Sequence, residues 1–359
     1  MEIEVFKRIS SFTFKSVAQI DEFKSLRNSR FYYKKDQFVL VVSASKNHVK
    51  WLVPDTVLLI GNAFYYIDKV VSNGEKAEEL TVSGKSLIGK TDKRIIWRTY
   101  SKTARPEVIC FEHLTNEVTN PSDAKRKINY LTVNAPMNLT GLSIQYQNSY
   151  GNVMEQIESL CETYDFGFYE TATSFENPQN KIIFFKGGDL SDIVEFTIED
   201  ETLETENYEN SNDDHSSTAI VYGEGEGAAR KNVVVNPNLA GLERKEIYVD
   251  ARDLQQETDG VKMPDNQYLE ALKGRGVKSL AERQAILKID GNINMKSKLF
   301  VFNRDYGIGD RVRITSERFN LSKVATLIGV EEVRDEKGHQ LSPIWDKETT
   351  TLIDKIKRK

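Results

Sequence analysis

Long apolar runs are missing from this 359-residue chain. The two longest, Phe38 to Val42 and Ala63 to Ile67, extend for five residues, where a membrane-spanning helix needs about 18 or more. Sulfur and imidazole are equally scarce. Cys110 and Cys161 are the only cysteines, which excludes a disulfide framework and a four-ligand cysteine zinc site. Both sit within apolar patterns and read as small core residues. The four histidines, His48, His113, His215 and His339, lie far apart without the HExxH spacing of a helical zinc hydrolase. At the N-terminus Glu2 and Glu4 alternate with Ile3 and Val5. There is no apolar core behind a basic start, so no secretory leader is expected and the chain is expected in the cytoplasm where it is made.

What is present points to strands. Aromatics make up 10% of the residues, with fifteen Tyr and seventeen Phe, a composition that favours half-buried pleated surfaces. At about 150 residues per domain the length suits two to four domains. Charge is nearly balanced, 49 basic against 54 acidic residues, but unevenly placed. The 43 residues between Lys186 and Arg230 carry thirteen carboxylates and no Lys or Arg. Such segregation indicates either a solvated acidic loop or a surface with an electrostatic task.

Hydrophobic period divides the chain. Before residue 105 the period is mostly two, with strands expected at Glu2 to Ile9, Phe38 to Ser43, Thr56 to Ile60, Phe64 to Val71 and Leu80 to Ser83, and a turn at Ser72-Asn73-Gly74. A meander of this length closes into a barrel or sandwich, giving a first β-barrel over 1–115. Residues 116–200 read as an α+β domain, entered through a helix near Val108 to Val118. Its clearest helix carries Val153, Ile157, Leu160, Cys161 and Tyr164 on one stripe, followed by strands Phe166 to Glu170 and Lys181 to Phe185. Strands at Thr218 to Tyr222, Lys231 to Val235, Glu246 to Val249, Ala285 to Asn292, Ser297 to Phe302, Asp310 to Thr315 and Val324 to Val333 suggest a second barrel over 201–249 and 286–346. A helical insertion, 250–285, interrupts it with helices near Gln267 to Leu272 and Ser279 to Leu287, and 347–359 is a basic C-terminal tail.

Two glycine-rich segments invite a nucleotide-binding interpretation. Gly84 to Thr91, GKSLIGKT, satisfies the phosphate-loop pattern, which would need Lys90 on the terminal phosphates and Thr91 on magnesium. A phosphate loop must open a helix whose N-terminus faces the anion, whereas Thr91 leads into the strand-like Ile95 to Arg98, so a short connection between strands is expected instead. Gly223-Glu224-Gly225-Glu226-Gly227 has GxGxG spacing rather than GxGxxG, and its two glutamates would repel a pyrophosphate. A strand end with close backbone approach is the better account. Basic clusters such as Lys125-Arg126-Lys127 lack the aromatic interleaving of a nucleic-acid surface. No catalytic residues, cofactor or metal ligands are assigned.

Six motifs, in order, resemble one family, the tail hub or baseplate hub proteins of bacteriophages, including the N-terminal hub module of siphophage tail-associated lysins. They are Leu80 to Leu87 followed by Arg94-Ile95; Ser149-Tyr150-Gly151-Asn152-Val153 with Tyr164 to Phe168; Phe185 to Ser191, where Gly188 and Leu190 replace basic residues of the family pattern; Val221 to Gly227 with Arg230; Arg244 to Asp253; and Asp305 to Val312.

The resemblance implies a mainly β and α+β fold with two barrels related to the tail-tube subunit, assembled as a homotrimer. Three chains with two barrels each would form a pseudo-sixfold ring that joins the tail tube to the tail tip and lets DNA pass. Expected partners are a distal tail or tail-tube protein on one side and a tip or fibre protein on the other, with DNA in transit without specific binding, in the virion tail. After the last expected strand about 25 residues remain, too few for a lytic domain, since independent domains rarely fall below about 40 residues. A lumen lined by carboxylates would not trap DNA by counterion release, which nominates Glu224 and Glu226 as lumen-facing. The alternatives are an enzyme, either a nucleotide hydrolase through Gly84 to Thr91 or a cell-wall hydrolase, and a glycan-binding receptor module.

Overall fold

The computed structural model describes residues 2–10, 13–72, 78–227, 230–258 and 261–346. It separates the chain into two units, Met1–Glu206 with Gly291–Asp346, and Asn207–Asp290. The architecture is mainly β with a few helices. Among the described residues no helix is long and apolar enough to cross a membrane. The turn expected at Asn73-Gly74 and the basic tail 347–359 lie outside the described residues.

An eleven-stranded sheet dominates the first unit. Its path runs from Phe14–Ile20 through Ile3–Arg8, Val57–Ile60, Ala63–Val71, Glu79–Ser86, Gln37–Ser43 and Ser25–Phe31, then to Leu321–Asp335, Arg311–Ser316 and Glu195–Phe196, with Gly338–Trp345 also on Leu321–Asp335. Alternation drives the N-terminal part. In Gln37–Ser43 the side chains of Phe38, Leu40 and Val42 are buried while Val39 is exposed, and they join Ile3, Val5, Leu26, Tyr65 and Val82 in one core. Strand Leu321–Asp335 serves two neighbours: its first half pairs with Arg311–Ser316, its second half with Ser25–Phe31. The register against Gly338–Trp345 shifts between Leu327 and Gly329, a bulge that bends the strand where it changes partner.

Helices α1 (Pro106–Leu114) and α2 (Val153–Tyr164) pack with the three-stranded sheet of Gly167–Ser174, Gln179–Phe185 and Leu131–Val133. The apolar stripe of α2 buries Val153, Ile157, Leu160 and Cys161, and leaves Tyr164 half-buried. Cys110 and Cys161 are free thiols in this core. Asn152 caps α2, its side-chain oxygen accepting from the amides of Met154 and Glu155. Beyond Leu114 the chain adds a π-helical turn, Thr115–Thr119.

The second unit is a sheet ordered Asn232–Val235, Thr218–Tyr222, Glu246–Asp250, covered by α3 (Asp265–Ala281), with a separate ribbon of Asn207–Ser211 and Ile286–Asp290. The strands expected for a second barrel are therefore divided. Those up to Asp250 belong to this unit, and Arg311–Ser316 and Leu321–Asp335 join the N-terminal strands. The expected insertion is one helix rather than two, and its Tyr268, Leu272 and Leu280 share a core with Ala219, Val221 and Val235. Ser297–Phe302 is not a strand. The Asp305 carboxylate accepts the Val301 amide at 2.7 Å, and Asn303 turns left-handed (φ 63°), so the segment curls back on itself.

Candidate functional site

The phosphate-loop match is resolved by local geometry. Gly84 lies inside strand Glu79–Ser86, where an added Cβ would come within 1.9 Å of the Tyr66 carbonyl oxygen. The chain continues as a 3-10 helix, Leu87–Lys93, and then a non-helical Arg94, so no helix N-terminus faces an anion. Lys90 pairs with Asp55, and its ammonium sits 3.7 Å from the centroid of the Tyr66 ring. Thr91 is fully buried, its hydroxyl donating to the Ile88 carbonyl at 2.7 Å. Both side chains are committed to packing.

The six motifs meet in pairs. Arg94-Ile95 lies against Gly151-Asn152-Val153: the Ile96 amide donates to Gly151 O at 2.8 Å, the Val153 amide to Arg94 O at 3.0 Å, and Asn152 Nδ2 to Asp92 O at 2.7 Å. The turn at Gly187-Gly188 docks on Asp310-Arg311, with Gly188 N donating to Asp310 Oδ1 at 2.8 Å and Arg311 N to Gly188 O at 2.9 Å. In the second unit Arg230 joins the other two motifs. Its guanidinium donates to Gly223 O, Tyr222 O, Tyr248 Oη and Asp250 Oδ1, and the two arginines at Asp250, Arg252 and Arg230, hold that carboxyl down at about 2. Gly223 is required here because a Cβ would lie 2.3 Å from the hydroxyl of buried Tyr268. Asn152, Asp310 and Arg230 tie their motifs together through side chains, and the remaining bonds run from backbone to backbone.

A cavity of about 700 Å3 opens within the first unit beside Asn28, Arg30, Asp36, Tyr65, Glu170 and Tyr306. Asn28, Arg30, Tyr65 and Glu170 reach it from strands, at positions that alternation assigns to apolar residues, while Asp36 and Tyr306 come from connections. Glu170 is buried; its carboxylate accepts from Ile88 N at 2.5 Å and Asn180 Nδ2 at 3.0 Å. Desolvation, with Asp36 nearby, pushes it up to about 8. Desolvation likewise raises Asp36 to about 7 against the stabilising Phe31 amide and Arg30. Tyr65 is buried beside them, and desolvation with Asp36 nearby raises its hydroxyl well above the ordinary value. Among the described residues no group of three or more His, Cys, Asp or Glu is placed to hold a metal.

The acidic segment is partly neutralised in three dimensions. Asp189 lies 3.3 Å from Arg311 and Asp192 lies 3.5 Å from Arg313, bases supplied from far along the chain. Glu224 is half-buried and accepts the Gln256 amide at 3.0 Å, whereas Glu226 is exposed.

A model of the siphovirus ReqiPepy6 Gp37-like proteins matches residues 2–344. No curated protein sequence matches the chain. Among solved structures, the 43 kDa tail protein of prophage MuSo2 from Shewanella oneidensis aligns with a TM-score of 0.57 at 11% identity, over 97% of this chain and 98% of that one. The tail protein from Neisseria meningitidis MC58 gives 0.52 at 14% identity over 96% of each chain. Prophage tail protein gp18 from Listeria monocytogenes EGD-e gives 0.51 at 10% identity over 99% and 98%. At such identities the likeness is one of fold.

Proposed function

The chain belongs to the family of siphovirus ReqiPepy6 Gp37-like proteins, and from that premise we propose that it is a hub of the phage tail whose work is assembly rather than catalysis. The observation that carries this reading is the end-to-end fold likeness to phage tail proteins. It is supported by the way the six motifs meet in pairs through hydrogen bonds. In this reading three copies form a ring between a distal tail or tail-tube protein and a tip or fibre protein, and DNA passes through its centre. The ring needs two tube-like barrels per chain. The N-terminal strands are the candidates for one, and the strands from Arg311 to Trp345 with Glu195–Phe196 for the other. Exposed Glu226, with Glu224 behind it, is proposed to face the lumen, where carboxylates keep DNA from binding.

The test is light scattering of the purified chain, alone at high concentration and with its tail-tube neighbour. Three chains per particle are expected. A monomer under both conditions would refute the ring.

A further inference from the structure

Strand Thr99–Ala104 pairs antiparallel with Ile144–Ser149, and Thr99 faces Ser149 at one end of the ribbon. The residues just beyond, Arg98 and Tyr150, are both left-handed, at φ 73° and 60°. Neither is Gly, Asn or Asp, so each holds strain of about 1 kcal/mol or more, of a kind that clusters at ligand sites. Next to them Trp97 is 54% exposed, a large apolar surface given up to solvent.

Trp97 is nevertheless held firmly. Its amide donates to Glu117 Oε1 at 3.0 Å, and Glu117 is itself buried. Arg126 binds the other carboxylate oxygen and the Ile95 carbonyl, and its guanidinium lies 5.6 Å from the Trp97 ring centroid. Glu117 is supplied by the π-helical turn Thr115–Thr119, an irregularity frequent at functional sites. An exposed ring braced by a half-buried ion pair is a prepared surface.

The space beside the ring, about 380 Å3, falls in the range of small-ligand sites. Asn116, Asn120, Ser122 and Arg98 line it and are exposed. Among the described residues none of these side chains has a hydrogen-bond or ion-pair partner. An aromatic face ringed by two carboxamides, a hydroxyl and one unpaired cation matches a flat C–H surface edged with hydroxyls, plus one negative charge. A nucleic acid would require a basic track for its phosphates, whereas buried Glu117 offsets Arg126 here.

We propose that Trp97 is the stacking platform of a saccharide-binding site that takes acidic pyranoses. The ring lies on Trp97, its hydroxyls are read by Asn116, Asn120 and Ser122, and its carboxylate is met by Arg98.

The test is calorimetry on the full chain with a panel of oligosaccharides: neutral hexoses, N-acetylhexosamines and hexuronates, with a single-stranded oligonucleotide alongside. A hexuronate oligomer is expected to bind saturably and best. Trp97→Ala should abolish binding while lowering the melting temperature only slightly, because more than half of the ring is exposed and the Arg126 contact is the chief loss. Arg98→Gln should weaken the hexuronate about tenfold, the loss of one charge-assisted hydrogen bond, and leave neutral sugars unaffected. Absence of binding across the panel at millimolar concentration, binding that survives Trp97→Ala, or tighter binding of the oligonucleotide would each overturn the proposal.

Discussion

The side chain of Asn180 closes both backbone valences of Phe64: its Oδ1 accepts the Phe64 amide at 3.0 Å and its Nδ2 donates to the Phe64 carbonyl at 2.9 Å. A carboxamide thereby acts as one rung of a strand at the boundary between the N-terminal sheet and the α+β layer. The same Nδ2 reaches Glu170, so one side chain satisfies three buried polar groups.

Replacing it should be costly. Asn180→Ala leaves those groups unpaired, at about 1–3 kcal/mol each if fully buried, and a loss of roughly 3 kcal/mol in urea denaturation is expected. A change under half a kcal/mol would show that the contact is incidental.

Protonation of Glu170 and Asp36 ties stability to pH. Both have folded values, about 8 and about 7, above their ordinary range near 4. Between these limits the folded state holds more protons than the unfolded one, so stability falls as pH rises from about 4 to about 8 and then levels. Glu170→Gln keeps an acceptor for Ile88 N and removes the charge. The new amide nitrogen cannot accept from Asn180 Nδ2, so a pH-independent cost is expected, while the decline in stability between pH 5 and pH 8.5 should flatten.

Lys90→Ala should cost about 1 kcal/mol, the worth of an ion pair with a cation–π contact, and Mg-ATP should not raise the melting temperature of either form. A nucleotide-dependent rise of several degrees, absent in the variant, would restore the phosphate-loop interpretation.

In the second unit, Gly223→Ala drives a methyl group against Tyr268, and overpacking of about 1–3 kcal/mol is expected. Hydrogen exchange should report the loss at Thr218–Tyr222. Adding Tyr268→Phe should recover part of it, although it removes the bonds to Leu254 O and Glu224 N.

Glu226→Lys should leave folding unchanged, since the side chain is exposed, and slow DNA release from assembled tails. Release at the original rate would count against a lumenal position.

Where one face of an element is apolar, the sequence was readable. Gln37–Ser43 and α2 obey a simple period, and Asn152 announces its helix. Ser25–Phe31 escaped notice because Asn28 and Arg30 face the polar cavity at positions where alternation calls for apolar residues. Phe14–Ile20 is similarly polar on much of its length. Division of the expected second barrel was hidden for another reason: strand partners far apart in sequence leave no local trace. The glycine cluster and Arg230 were visible as a motif, but their joint with Tyr248 and Asp250 depends on register. The Trp97 platform rests on a π-turn and two left-handed residues that no periodicity foretells.

The pairing of Ser25–Phe31 with the second half of Leu321–Asp335 also sets an order of events during synthesis. Its partners emerge from the ribosome roughly 300 residues apart, a loop closure that is slow and late. Asn207–Asp290 contains its own sheet and helix, so it can fold while the polypeptide is still being made. The N-terminal strands must wait with an unpaired edge, open to aggregation, until Leu321–Asp335 arrives to cover it. Premature termination just before Leu321 would accordingly leave a folded inner unit attached to a sticky, unfinished sheet.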